Sequence, residues 1–466
     1  MNPQARLAEL PYRPDSAELF EAIADEPWAV FLDSGRPRST AGRLDILAAR
    51  PFATLVTRGG MTEIRRFGEA RLSPADPFDL LREHLEADGQ ATDLPFAGGA
   101  IGYFGYDLAR RLERLPSRAR DAEGIPEMAV GIYDWAVLVD HEARAAWLVS
   151  AGRDPRTAAS WDALLALFSD PPPAAARRPF QVTGPVRANF DAETYRRAFA
   201  RIQRYITAGD CYQVNLAQRF SAPVAGDSWL AFQALRRLNP APYSAYLNHP
   251  ACRVLSSSPE RFLEVRDGRV ETKPIKGTRP RAAAPEADSA LARELSESLK
   301  DRAENLMIVD LLRNDLGKVC APGSVAVPRL FGLESFATVH HLVSTVIGRL
   351  ADGLDAVALL RGAFPGGSIT GAPKLRSMEI IEELEPHRRG LYCGAIGWLG
   401  FNGDMDTNIA IRTLVASEGE MRFWAGGGIV ADSQADAEYQ ECLDKAAAML
   451  RLLARHRVGA DGQAAG

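Results

Sequence analysis

The sequence predicts an α+β fold, because strands and helices both occur in quantity without the regular βαβ alternation that builds a parallel sheet. Three observations carry that reading. Short apolar runs punctuated by glycine fill the first 170 residues, as in WAVFLDSG, FATLVTRGG and AGGAIGYFGYD. Similar runs recur after residue 250, in RVLSSSPERFLEV, GRVETKPIKG, YCGAIGWLGF, TNIAIRTLVA and MRFWAGGGIV. Between the later runs stand long segments with helical periodicity.

Taken in order, the runs of residues 1–170 read as antiparallel strands with some helices between them, and form an N-terminal region. Its most hydrophobic stretch, Ala129 to Val139, is interrupted by Asp134 and reads as one strand. Three consecutive prolines and an alanine-arginine stretch follow, which continue neither a helix nor a central strand, so residues 171–188 read as a linker. The main domain, residues 189–456, opens with a helix: Asp191 caps it, Tyr195, Phe199, Ile202 and Ile206 follow one face, and Gly209 stops it. A further helix is predicted from Asp288 to Asn314 and another from Ser433 to His456. The Gly/Ala-rich tail, residues 457–466, is expected to be disordered.

Composition narrows the function. A net charge of −5 leaves no basic excess to neutralise phosphates, which argues against a nucleic-acid binder. Five cysteines, far apart and odd in number, make neither a disulfide framework nor a CxxC metal site, and favour a reducing compartment. The N-terminus has no apolar signal core, and no run approaches ~18 apolar residues. The expectation is a cytoplasmic protein that does not span a membrane.

Chemistry-bearing residues cluster late in the chain. Glu438, Glu441 and Lys445 stand at i, i+3 and i+7, so they share one helix face. Two carboxylates a turn apart suit a hard cation such as Mg²⁺, and a lysine beyond them suits a substrate carboxylate. A solvated helix face with an ordinary ion pair has the same spacing, and on spacing alone is the commoner case. Glu304, at the edge of the apolar Leu306–Leu312 segment, is open to both readings. In GRVETKPIKGTRPR, Lys276 ends a strand beside Gly277, which permits close approach of a ligand to the backbone. Such a lysine is a nucleophile if burial or nearby cations lower its pKa. Glu260, at the start of another strand, is a candidate general acid or base. Two lookalikes are set aside. GGSITG (366–371) has phosphate-loop glycine spacing but Ala372 where lysine is required, and Cys393 lies in a strand-like context that fits a buried thiol.

The motifs GDCYQVNLAQRF, SSSPERF, PIKGTRPR, AENLMIVDLLRNDLG, VHHLVSTV, PGGSITGAPK, YCGAIGW, TNIAIRT, FWAGGGIVADS and AEYQECLDKA occur in that order. Through them the chain resembles the large, chorismate-binding subunits of aminodeoxychorismate synthase and anthranilate synthase, relatives of isochorismate and salicylate synthases. LDSG, GRLDIL and FAGGAIGYFGYD resemble their accessory region more loosely. The resemblance implies antiparallel sheets packed as a sandwich, helices outside, and an N-terminal region packed closely on the catalytic domain. It also implies that Glu304, Glu438 and Glu441 hold Mg²⁺, which binds the ring carboxylate of chorismate. Lys445 and the backbone at Gly426 and Gly428 then bind substrate carboxylates. Tyr392 and Arg412 hold the enolpyruvyl carboxylate, Gly277, Thr278 and His341 lie against the ring, and Glu260 protonates the departing C4 hydroxyl.

Within the family, Lys276, Gln213 and Asn215 resemble the branch that adds ammonia at C4 through a covalent lysine adduct at C2. The chain lacks a GxCxG nucleophile elbow with a His/Glu pair, so a separate glutamine amidotransferase subunit is the expected source of ammonia. The alternative is the anthranilate branch, whose feedback site resembles an LLES stretch where this chain has LDSG at Leu32 to Gly35. A tryptophan pocket lined by Ser34 is expected in the N-terminal region. A non-catalytic regulator that binds chorismate or tryptophan is the alternative of another class, and it is disfavoured because Glu260, Lys276 and the metal glutamates are all present.

Overall fold

Strand residues with apolar side chains on both faces require cover on both sides, and that requirement organises the whole chain. The computed structural model describes residues 5–39, 42–86, 94–335 and 339–458. Two large antiparallel sheets dominate it. The first runs Arg6–Leu10, Ala145–Ser150, Trp135–Asp140, Leu44–Ala48, Ala29–Asp33, Tyr243–His249, Cys252–Ser258, Thr413–Ser417, Glu420–Ile429, Gln213–Ala225 and Gln181–Val182. The second runs Ile275–Pro280, Val339–Arg349, Arg269–Thr272, Arg261–Arg266, Met405–Ile409, Ala395–Gly400, Gly99–Phe104, Met128–Tyr133, Ala53–Arg58, Met61–Arg66 and Glu69–Ser73.

Alternation along each strand sends residues to two different cores. Val30, Ile46, Ala136 and Leu138 of the first sheet meet Ile101, Tyr103, Ala129 and Tyr133 of the second in one core between the sheets. Their neighbours Phe31, Leu47, Val137 and Val139 face outward beneath helices such as Ser228–Leu238 and Ala435–Arg455. On the second sheet Ala100, Phe104, Val130 and Ile132 pack under Leu299–Gly317 and Ala356–Ala363. Both sheets contain strands from early and late sequence: Ala29–Asp33 pairs with Tyr243–His249, and Gly99–Phe104 with Ala395–Gly400. Within residues 171–188, Gln181–Val182 and Arg187–Ala188 pair with Gln213–Ala225.

Three expected elements differ. The run TNIAIRTLVA, residues 407–416, is split between Met405–Ile409 of the second sheet and Thr413–Ser417 of the first. Ala129 to Val139 is not one strand: Met128–Tyr133 belongs to the second sheet and Trp135–Asp140 to the first. The chain crosses at Asp134, whose buried carboxylate accepts a hydrogen bond from the Ser150 hydroxyl at 2.9 Å. The helix expected from Asp288 to Asn314 is two, Pro285–Glu297 and Leu299–Gly317. Ser298 breaks it, with an extended backbone and a side chain that caps the Asp301 N–H at 3.3 Å, a local preference stronger than helix continuation. The helix capped by Asp191 spans Ala192–Thr207 and the last helix Ala435–Arg455. Arg457 bridges to Val182, and the Val458 N–H donates to the Val182 carbonyl at 3.1 Å; the rest of the expected tail, 459–466, lies outside the described residues. Among the described residues no helix is long and apolar enough to cross a membrane.

Candidate functional site

The site forms where the chain twice leaves one sheet for the other. Glu260 lies in the crossing from Cys252–Ser258 to Arg261–Arg266, and Arg412 in the crossing from Met405–Ile409 to Thr413–Ser417. The two crossings are stitched together. The Ile409 N–H donates to the Glu260 carbonyl at 3.0 Å, the Ser258 hydroxyl to the Ile409 carbonyl at 2.6 Å, and the Ser257 N–H to the Arg412 carbonyl at 3.1 Å. Residues at such crossings have side chains free of the strand alternation, so they can point into a shared space.

Lys276 enters that space from the Ile275–Pro280 strand. Its register against Val339–Arg349 shifts between Lys276 and Thr278, a bulge with Gly277 at φ +76°. A Cβ on Gly277 would stand 2.8 Å from Leu295 and 2.9 Å from Asp301. The glycine therefore admits the Leu299–Gly317 helix and its neighbour, and the close approach expected of a ligand there is made by these side chains. The Lys276 ammonium donates to Glu304 Oε1 at 2.9 Å and to the Ser368 carbonyl at 3.3 Å. Burial pushes its pKa down, but the carboxylates of Glu304, Glu260 and Glu441 outweigh burial and the net direction is up. The lowering expected from sequence is thus reversed here by the lysine's own acidic neighbours.

Glu260 is buried, and its Oε1 accepts a hydrogen bond from the Ser368 hydroxyl at 3.0 Å. Burial raises its pKa against the opposing pull of Lys276, Ser368, Lys445 and Arg412, the direction a general acid needs. Arg412 keeps a partly exposed edge and is otherwise enclosed; burial lowers its pKa and Glu260 opposes that. Among the described residues its guanidinium has no hydrogen bond or ion pair. An enclosed, unpaired guanidinium is a receptor for a carboxylate. Next to it, His341 Nδ1 stands 2.9 Å from the Thr278 hydroxyl, and burial, then Arg412, depress its pKa to about 4. The imidazole is neutral at pH 7.

The acidic residues converge on a glycine floor. A Cβ on Gly427 would stand 3.2 Å from Glu438 Oε2, 3.7 Å from Glu441 Oε1 and 3.6 Å from Lys445 Nζ. A Cβ on Gly428 would lie 3.3 Å from Glu304 Oε1 and collide with the Gln213 amide. The absent side chains leave space beside Glu438 and Glu441 at Gly427 and beside Glu304 at Gly428, and carboxylates are the oxygen donors that Mg²⁺ takes. Each carboxylate now has another partner: Glu304 holds Lys276, Glu438 accepts from the Ser433 hydroxyl at 2.6 Å, and Glu441 pairs with Lys445 at 2.7 Å. Among the described residues no three such groups already stand together as ligands. Burial raises the Glu438 pKa, whereas at Glu441 burial is outweighed by Lys445, Lys300 and Lys276 and the direction is down. Gln213 is fully buried, and among the described residues neither its Oε1 nor its Nε2 has a partner, so both remain available to a polar ligand.

Other expected residues have different surroundings. Lys445 donates to the Gly426 carbonyl at 3.1 Å, so that carbonyl serves the lysine. The Asn215 carbonyl and Oδ1 both accept from Arg389, at 2.9 and 3.1 Å, and Asn215 braces the site through that buried arginine. The Tyr392 ring lies in the core, stacked on Trp424 at 6.2 Å. Ser34 lies elsewhere: it lines a separate cavity of about 950 Å³ with Trp147, Tyr243 and Trp398, and among the described residues its buried hydroxyl has no partner. Cys393 is inert, its thiol pushed up to about 12 by burial. Sequence reasoning passed over Ser368 and Arg389; the first stood inside a motif set aside, and the second carried no signal beyond being an arginine.

An enclosed arginine, an orphaned amide and a lysine beside a carboxyl acid, next to these carboxylates, have the chemistry of an enzyme site that binds a carboxylate. The chorismate binding enzyme family matches residues 29–451, and the chain belongs to that family. It is 52% identical to aminodeoxychorismate synthase component 1 of Klebsiella aerogenes, over 96% of this chain and 98% of that protein. It is 39% identical to anthranilate synthase component 1 of Thermus thermophilus, over 94% and 95%. Among solved structures, anthranilate synthase component I of Streptococcus pneumoniae superposes with a TM-score of 0.78 at 33% identity, covering 88% of this chain and 92% of that one.

Proposed function

We propose that the chain aminates chorismate at C4 to give 4-amino-4-deoxychorismate, the step that feeds 4-aminobenzoate and folate synthesis in the cytoplasm. The observation that carries this reading is the half-buried Lys276 amine and the Glu260 carboxyl held on the same residue, Ser368. The amine of Lys276 attacks C2 of chorismate after giving up to solvent the proton that its acidic neighbours favour. Glu260 gives its proton to the C4 oxygen, which leaves as water while the ring double bonds shift. Ammonia then attacks C4, the double bonds return, and the C2–nitrogen bond breaks to free Lys276. The sum is chorismate plus ammonia to aminodeoxychorismate plus water, one hard displacement divided into two easier ones.

Arg412 binds the enolpyruvyl carboxylate, and Thr278 and neutral His341 lie along the ring. Gln213 offers its free amide to substrate or ammonia. Glu304, Glu438 and Glu441 would hold Mg²⁺, which when bound supplies positive charge for the ring carboxylate. The designation component 1 in the relatives supports a second subunit, a glutamine amidotransferase that delivers ammonia. The orphaned Ser34 hydroxyl and the aromatic lining of its cavity support binding of tryptophan there.

The test is incubation with chorismate, Mg²⁺ and ammonium, with products resolved by mass and Lys276→Ala in parallel. Aminodeoxychorismate from the wild type and little from the variant is expected. Anthranilate with pyruvate would move the chain to the less supported anthranilate branch.

A further inference from the structure

The segment GGSITG, residues 366–371, is not a phosphate loop, yet its form is costly enough in glycine to need a reason. Its Gly367–Ile369 part is a tight turn sunk between the second sheet and the Leu299–Gly317 helix. A Cβ on Gly366 would stand 2.7 Å from Ile409 and 3.3 Å from Phe262, and one on Gly367 would overlap Leu311. Only glycines let the turn reach this depth. It is then held from three sides: the Thr370 hydroxyl donates to the Gly366 carbonyl at 3.1 Å, the Asn215 N–H to the Thr370 carbonyl at 2.9 Å, and Arg389 to the Ile369 carbonyl at 3.1 Å.

What this frame presents is Ser368. Its hydroxyl donates to Glu260 Oε1 at 3.0 Å, and its carbonyl accepts from Lys276 at 3.3 Å. No hydrogen bond joins Glu260 to Lys276 directly among the described residues; Ser368 touches both, through its hydroxyl on the acid and through its carbonyl, which together with Glu304 holds the lysine. A hydroxyl has a single proton to donate. In the arrangement where the hydroxyl donates to Oε1, the acidic proton of Glu260 sits on Oε2, which among the described residues has no hydrogen-bond partner.

We propose that Ser368 is a positioning residue that fixes the acid Glu260 against the nucleophile Lys276 and selects the oxygen that carries the transferred proton. The inference rests on the amination reading above. The hydroxyl favours the carboxylate form of Glu260, so its removal shifts the acid toward the protonated form. The other charged groups facing Glu260, namely Lys276, Lys445 and Arg412, stay in place.

The experiment compares wild type, Ser368→Ala and Ser368→Thr in the ammonium assay across pH. Ser368→Ala is expected to lower kcat about tenfold to a hundredfold, with KM for chorismate changed far less. The high-pH limb of kcat/KM, along which the acid loses its proton, moves to higher pH. Ser368→Thr keeps a hydroxyl and restores most of both. Unchanged kcat in Ser368→Ala, or a loss with no movement of the limb and no recovery in Ser368→Thr, overturns the proposal in favour of a packing role. A wild type that makes no aminodeoxychorismate counts against the amination reading instead. Infrared difference titration of the Glu260 carboxyl band, assigned with Glu260→Gln, still decides the hydrogen bond in that case: a band that titrates identically with and without the Ser368 hydroxyl sinks the proposal.

Discussion

Replacing Arg412 by glutamine separates binding from stability in a way few substitutions do. A buried, paired arginine normally costs about 3–5 kcal/mol to remove, because its partners are left uncompensated. The Arg412 guanidinium leaves none behind: among the described residues it has no hydrogen bond or ion pair, and burial already disfavours its charge. Arg412→Gln is therefore expected to leave stability unchanged or slightly raised, within about 1 kcal/mol, or roughly 2 °C in Tm for a chain of this size. Loss of a charge-assisted, bidentate carboxylate contact costs about 2–4 kcal/mol in binding, or about thirtyfold to a thousandfold in affinity. Arg389 is the internal control. It donates to Glu385, Asn215 and Ile369, and Arg389→Gln is expected to lower stability by about 3 kcal/mol or more. Differential scanning fluorimetry and calorimetric titration with chorismate read the two quantities. A large fall in Tm for Arg412→Gln, or wild-type affinity for chorismate, would refute the assignment of Arg412 as an anion receptor.

Magnesium at about a hundred times its Kd is expected to stabilise the wild type by ~2.7 kcal/mol. Gly427→Ala, whose methyl would stand 3.2 Å from Glu438 Oε2, should lose most of that gain; a wild type whose Tm ignores magnesium would count against magnesium at these carboxylates. His341 has a folded pKa of about 4 against about 6.5 when exposed, so protons bind the unfolded chain first. Its contribution is fully present above about pH 6.5 and is lost as pH falls toward 4, about 3 kcal/mol in all. His341→Gln should flatten the fall in denaturant-measured stability across that window, and an equally steep fall in the variant would show that other groups cause it. Lys276→Ala is expected to lower amination by at least a thousandfold, as removal of a covalent nucleophile does, and a smaller loss would point to a role in charge alone.

Much of the fold was legible because alternation is a local signal. Runs such as MRFWAGGGIV carry their strand in ten residues, and Asp191 with Gly209 brackets a helix without help from the rest of the chain. The sheet crossings were not legible. Asp134 reads as a flaw in one strand, and only the three-dimensional pairing shows two strands in different sheets. The same limit applies at the site. Glu438 and Glu441 share a helix face by arithmetic, but the glycine floor that gathers Glu304 to them comes from another strand. The direction of the Lys276 shift depends on three carboxylates from other elements, and local sequence carries no trace of their sum.

The sharing of both sheets between early and late sequence sets a timetable for synthesis. When Gly99–Phe104 leaves the ribosome, its partner Ala395–Gly400 has not been made, and at ~5–20 residues per second it arrives on the order of tens of seconds later. For about the first half of that interval the strand Ala29–Asp33 also lacks Tyr243–His249, and apolar edges wait open. A nascent chain of this architecture needs protection during elongation, and a messenger paused midway would expose the surfaces from which aggregates grow.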